Sequence, residues 1–116
     1  MGSKKTSNTK SYEIRVTENA NKDFDEITDY IEFVNFQPSN AIMVGESIIF
    51  SISKILANPH SYKECKYLPT KIKMYRQTLC LSWNIFYRIR DYEIVILGIL
   101  HTARKPSIIK KLRSVK

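Results

Sequence analysis

The stretch EIVILGIL, residues 93–100, is apolar at every position except Glu93 and Gly98. A strand with one wet face alternates apolar and polar residues. A strand without that alternation needs cover on both sides, so 93–101 is expected to be a central strand. The segment before it behaves differently. In WNIFYRIR, residues 83–90, strand parity sends Trp83, Ile85, Tyr87 and Ile89 to one face and Asn84, Phe86, Arg88 and Arg90 to the other. A further strand is expected near 73–80, and the short gaps between the three leave room only for tight turns. The first face is expected to lie on the core. The second is expected to stay uncovered, as a basic and partly aromatic surface.

The cover for the first face is legible upstream. YEIRV (12–16) alternates as a short half-buried strand, and from Glu18 the period changes. Ala20, Phe24, Ile27, Ile31 and Val34 recur at spacings of three and four, one stripe of an amphipathic helix, with Thr17 or Asn19 as its N-cap. After the break NFQPSN, Pro38 stands where a second helix starts. Ile42, Gly45, Ile48, Ile49, Ile52, Ile55 and Leu56 then hold helical spacing until Asn58 and Pro59 end it. Isoleucine is a modest helix former, so burial must hold this helix together. Gly45 costs about 1 kcal/mol relative to alanine in a helix, a cost that close approach to the first helix explains. So short a link makes the two helices an antiparallel hairpin.

The order β-α-α-β-β-β predicts an α+β fold, with a helical hairpin packed on one face of a small, mostly antiparallel sheet. A chain of 116 residues suffices for one such core. Residues 1–11 are expected as a flexible basic arm, 12–108 as the domain, and 109–116 as a basic tail.

Charge is unevenly distributed. Residues 1–53 sum to −3 and residues 54–116 to +11, and six of the eleven acids fall between Glu18 and Glu32. The basic half suits a polyanion or an acidic protein partner. No apolar run reaching about 18 residues is evident, so no membrane span is expected. The N-terminal residues lack the apolar core of a signal peptide, which makes the cytoplasm the expected location. Cys65 and Cys80 are expected as free thiols, since they lack metal-site spacing and an export signal. There is no metal-ligand cluster, glycine-rich phosphate loop or Ser/His/Asp signature, so no cofactor is expected.

This order of elements, with ENANKDFDEITDYI, ILANP, YRQ, IFYRI, RDYEIVILGI and LHTARKP in sequence, resembles the RelE/ParE superfamily of bacterial type II toxins over residues 12–108. The resemblance implies a small cytoplasmic toxin neutralised by a cognate antitoxin. It also implies one of two activities. RelE-like members cut messenger RNA on the ribosome without metal, whereas ParE-like members poison DNA gyrase and are not nucleases.

Metal-free RNA cleavage needs a base for the ribose 2′-hydroxyl, cations for the charged phosphorane and an acid for the leaving oxygen. Matched to the nucleases by resemblance, Arg104 aligns with an arginine after the final strand, and Arg76 falls at or beside one basic position. Asn84 stands where the middle strand often carries an arginine, Gln77 or Thr78 at a second basic position, and Lys110 where a catalytic tyrosine can stand. His101 is able to replace that tyrosine, since imidazole titrates near neutrality. It also fits a buried strand end and the ParE-like ending. A nuclease would therefore rely on Arg76, His101 and Arg104, whereas contact with a target or partner would fall to Arg76, Arg88, Arg90, Arg104 and Lys105. The reading adopted is a ParE-like toxin acting on a target such as gyrase, with the ribosome and mRNA as the alternative target of a nuclease. A second alternative is an inactive member that only binds its antitoxin.

Overall fold

A computed structural model describes residues 11–116, so residues 1–10 of the expected basic arm lie outside the described residues. The elements are β1 (Glu13–Val16), α1 (Glu18–Asp29) running into a π turn at Tyr30–Val34, α2 (Pro38–Ala57), β2 (Tyr75–Cys80), β3 (Trp83–Arg90), β4 (Glu93–His101) and α3 (Pro106–Lys110). The strands lie in the order β1-β4-β3-β2, with β1 parallel to β4 and the other pairs antiparallel. The unalternating stretch is therefore central, as its composition requires, and every residue from Ile94 to Leu100 is buried.

Parity along β4 is broken once. Phe86 pairs with Gly98 but Tyr87 pairs with Ile96, so Leu97 is an extra residue on β4. Ile94 and Ile96 face the hairpin while Val95 and Leu97 face away; beyond the bulge Ile99 returns to the hairpin side and Leu100 to the other. The bulge also coincides with the end of β1, which stops at Val16 while β4 runs on to His101. The first turns of α1 take over the exposed edge. Thr17 Oγ1 donates to the Ile96 carbonyl at 2.8 Å, Asn19 Nδ2 donates to the Leu97 carbonyl at 2.9 Å, and Asp23 Oδ2 accepts from the Ile99 N–H at 2.9 Å. Thr17 Oγ1 also accepts from the Ala20 N–H at 3.0 Å, so one side chain caps the helix and ties it to the sheet.

The hairpin packs on most of the predicted stripe, with three corrections: Val34, Ile42 and Ile49 hold the helical spacing but are exposed, while Ala41 and Val44 take the buried side of α2. Ala20, Ile31, Ala41, Val44, Ile48 and Ile55 meet Ile85, Tyr87, Ile89, Ile94, Ile96 and Ile99 in one cluster. Gly45 is the close-approach point, since a Cβ there would stand 3.3 Å from Phe24 Cζ and 3.5 Å from Thr28 Cγ2. Tyr87 donates its hydroxyl to the Pro59 carbonyl at 2.7 Å; burial pushes its ionisation far above the usual range, so it remains a donor.

The expectation of an uncovered second face is corrected. Phe86 is buried there among Tyr75, Val95, Leu97 and Leu100, beneath Cys65 and Leu68 on one side and Ile109 and Leu112 on the other. Ile109 and Leu112 come from 106–115, where α3 continues into a 3₁₀ turn at Lys111–Ser114. Residues 109–116 are basic as expected, yet they pack on the sheet rather than trail from it. Ile108, Ile109, Leu112 and Val115 carry a helical spacing that the lysines around them mask in the sequence.

A second correction concerns α2, which at 20 residues is long and apolar enough, by length and composition, to cross a membrane. Its inner stripe, with Ile48 and Ile55 fully buried, is the centre of the core described above. Cys65 and Cys80 are free thiols, and both are buried. Tyr75 is buried, and Tyr62 and Tyr67 pack against the two clusters, which makes these rings packing elements.

Candidate functional site

At the end of the sheet where β4 stops, the hairpin and the β2–β3 turn leave a groove of about 650 Å³. Its apolar side is built from Ile27, Val44, Ile99 and the half-buried Trp83. Asp23 and Glu26 come from α1, and His101 and Arg104 from the end of β4 and the turn after it.

Local structure places each of these groups. Trp83 and His101 are cross-strand partners, and their rings meet edge to face at a centroid distance of 6.0 Å. The chain then turns back, with the Arg104 N–H donating to the His101 carbonyl at 3.0 Å. The Ala103 N–H donates to His101 Nδ1 at 3.1 Å, which leaves the other ring nitrogen to carry the proton of the neutral form. The result is an exposed His101 whose ring is fixed by its neighbours rather than buried with the strand that ends in it. Arg104 is also exposed, and its charge acts on Asp23. Burial raises the Asp23 pKa above its ordinary value and Glu26 adds to the rise, against the Ile99 N–H bond and the charges of Arg104 and Lys22. The groove thus sets two carboxylates opposite two nitrogen cations or donors around an apolar floor. That arrangement suits gripping a chain segment that presents an apolar side chain between polar ones.

The other residues singled out in the sequence lie elsewhere. Arg76 donates from Nε to the Lys73 carbonyl at 3.0 Å and from Nη1 to the His60 and Tyr62 carbonyls at 2.8 and 3.0 Å, clamping the loop before β2. It pairs with Tyr87, four residues along β2 from the Cys80 rung that carries Trp83 and His101, so roughly 13 Å of strand separates its rung from theirs. The structure brings His101 and Arg104 together but not Arg76.

Arg88 and Arg90 project from the second face, Arg88 half-buried with its Nε unpartnered among the described residues. Lys105 precedes α3, where its carbonyl accepts from the N–H groups of Ile108 and Ile109. Gln77 and Asn84, at positions that resemble cationic ones in the nucleases, are hydrogen-bonded to each other, Gln77 Nε2 donating to Asn84 Oδ1 at 3.2 Å.

Sequence reasoning missed the groove itself. It counted the acids between Glu18 and Glu32, Asp23 among them, only as charge and placed Trp83 on the core face, and both bear on the site only because elements about sixty residues apart meet there.

The model of the family described as the ParE toxin of the type II toxin-antitoxin system parDE matches residues 14–106. Among solved structures, a chain of the chromosomal ParDE toxin-antitoxin system from P. aeruginosa is similar with a TM-score of 0.62 at 19% identity, covering 78% of this chain and 96% of that one. A chain of the RelBE2 toxin-antitoxin complex from Mycobacterium tuberculosis is similar with a TM-score of 0.52 at 20% identity, covering 79% and 99%. At these identities the likeness is one of fold. A search of curated protein sequences returns no match. The family match spans both the hairpin that covers the sheet and the β4 end that carries His101 and Arg104, and by that match the chain belongs to the ParE toxins of type II toxin-antitoxin systems.

Proposed function

We propose that this chain inhibits growth from the cytoplasm by binding a macromolecular target, DNA gyrase, and that a cognate antitoxin neutralises it. The observation that carries this reading over the nuclease alternative is the amide pair Gln77–Asn84. A phosphorane needs cations, and two neutral amides satisfying each other have none to offer. The distance between Arg76 and the His101–Arg104 pair supports the same reading, because acid-base catalysis requires the groups to converge on one phosphate. Both complexes to which the fold is similar hold an antitoxin, and an acidic segment of such a partner complements the basic half of this chain. Arg104 is the residue assigned to partner or target contact, being exposed at the groove mouth. Arg88 and Arg90 lie toward one end of β3 and Lys105 beyond the opposite end of β4, and each is a separate candidate for contact with the partner or target.

Induction of the chain in cells tests this. Growth arrest with accumulation of cleaved gyrase-DNA complexes, and without new transcript 5′ ends inside translated codons, is the expected result. New ends within codons would establish the nuclease instead, and no effect on growth would favour an inactive antitoxin-binding member. Arg104→Ala should retain the fold and lose most of the toxicity.

A further inference from the structure

We propose that the outward face of the helical hairpin is a homodimer interface, in which α2 packs antiparallel on the α2 of a second copy about a two-fold axis near Phe50. This inference stands apart from the choice of target.

A helix face turned to water normally carries charge. Here Ile42, Met43, Ile49 and Phe50 are 63, 48, 59 and 63% exposed. At 3.6 residues per turn they share one sector with Glu46, opposite the buried Ile48 and Ile55. The apolar surface continues at the hairpin tip, where Phe33 and Phe36 are 64 and 83% exposed. Phe36 sits at φ 54°, a left-handed conformation that a phenylalanine rarely adopts. The four α2 side chains alone present on the order of 500 Å², at the upper end of what a monomer leaves as one patch. Two copies together would bury about 1,000 Å² from these side chains alone, the lower bound of a specific interface.

Charge selects the occupant. Glu46, Phe50 and Lys54 lie at i, i+4 and i+8 on this face, and Lys54 Nζ already rests 4.9 Å from the Phe50 ring centroid. An antiparallel copy with its two-fold axis at Phe50 brings Glu46 against the Lys54 of the second copy, twice, and places ring against ring between them. Such a contact is self-complementary and closed. An acidic protein segment or an anionic lipid surface would instead meet Asp25, Asp29, Glu32 and Glu46, all exposed or half-buried on the hairpin.

Sedimentation equilibrium of the refolded full chain between about 1 and 100 µM tests the proposal. A dimer is expected. Phe50→Glu should weaken it at least about tenfold. Glu46→Lys and Lys54→Glu should each weaken it by up to about tenfold, and the doubly swapped chain should recover to within about threefold of the parent. Far-UV circular dichroism and thermal melting should be alike in all four variants, and Ile49→Asp serves should Phe50→Glu fail to fold. A monomer throughout the range, a dimer that neither Phe50→Glu nor Ile49→Asp disturbs, or charge variants without recovery in the double swap would overturn the proposal. Flotation with anionic vesicles in place of self-association would overturn it as well.

Discussion

The two faces of the sheet are closed by different means. On one, a hairpin of two long helices lays a continuous row of isoleucines over Ile85, Ile89, Ile94 and Ile96. On the other, two short stretches suffice, residues 65–68 and the basic segment 106–115, whose anchors are Ile109 and Leu112. The first cover is long enough to be read from its period. The second has only a five-residue helix and a four-residue 3₁₀ turn beside the 65–68 stretch, and its end is tied by Arg15, which donates to the Lys116 carbonyl at 2.8 Å. Burial of a strand on both faces therefore says that two covers exist without saying how robust each one is. The hairpin side is the structural half of the molecule, and the segment side is held by contacts that local opening can break.

The largest expected effect tests this asymmetry directly. Ile48→Ala, at a fully buried site under the hairpin, should cost about 3 to 4 kcal/mol of unfolding free energy, whereas Leu112→Ala should cost about 2 because the short cover can resettle. Denaturant titration gives both values. Native-state hydrogen exchange should show Leu112→Ala accelerating amides in 108–115 while hairpin amides slow-exchange as before; equal loss on both sides would break the comparison.

Gly98 is where the two covers come closest. A Cβ there would stand 2.9 Å from Leu112 Cδ2 and 3.2 Å from Asp23 Oδ2, one atom from each cover. Gly98→Ala should cost about 1 to 3 kcal/mol by overpacking. Combined with Leu112→Ala, which vacates the tighter contact, the total should fall below the sum of the two single effects. Strict additivity would mean that the two covers do not meet through this residue.

Asp23 separates the faces by pH. Its pKa is raised in the folded protein, so at pH values between the ordinary 3.8 and the raised value the native state binds more protons than the unfolded chain. Stability from this group therefore grows as pH falls through the raised value toward the ordinary 3.8, and declines again as pH rises. Asp23→Asn, whose amide oxygen can still accept from the Ile99 N–H, should remove that slope in melting temperatures measured from about pH 4 to 7. An unchanged slope would mean that another group carries it.

The smallest expected effect belongs to neither face. Leu81 holds φ 56° in the β2–β3 turn. Leu81→Gly should raise stability by up to about 1 kcal/mol, because glycine adopts this conformation without steric cost. A loss of stability in a denaturant titration would show that the half-exposed Leu81 side chain packs usefully at the groove.

Much of the fold was legible because its signals are periodic and long. β3 and β4 lie on the expected residues, Thr17 is the cap, and Pro38 and Asn58 bound the second helix. What escaped was short or non-local. The cover made by Ile109 and Leu112 hides among lysines, and the bulge at Leu97 leaves no mark in a stretch where every residue is apolar. The groove escaped for a different reason. His101 and Arg104 could be singled out from their place at and just after the end of β4, but Asp23 and Trp83 join them only through tertiary packing. Arg76 illustrates the converse, since nothing in YRQ distinguishes an arginine that reaches solvent from one that donates to three carbonyls.

A chain that disables its target by binding, as proposed above, leaves RNA uncut. The direct measurement is to add the purified chain to DNA gyrase with supercoiled plasmid and ATP, then to resolve the DNA after denaturing the enzyme. A dose-dependent rise in linear, protein-linked plasmid, abolished by Arg104→Ala, is the predicted result. Unaltered gyrase products, together with cleavage of messenger RNA when the chain is added to translating ribosomes, would contradict it.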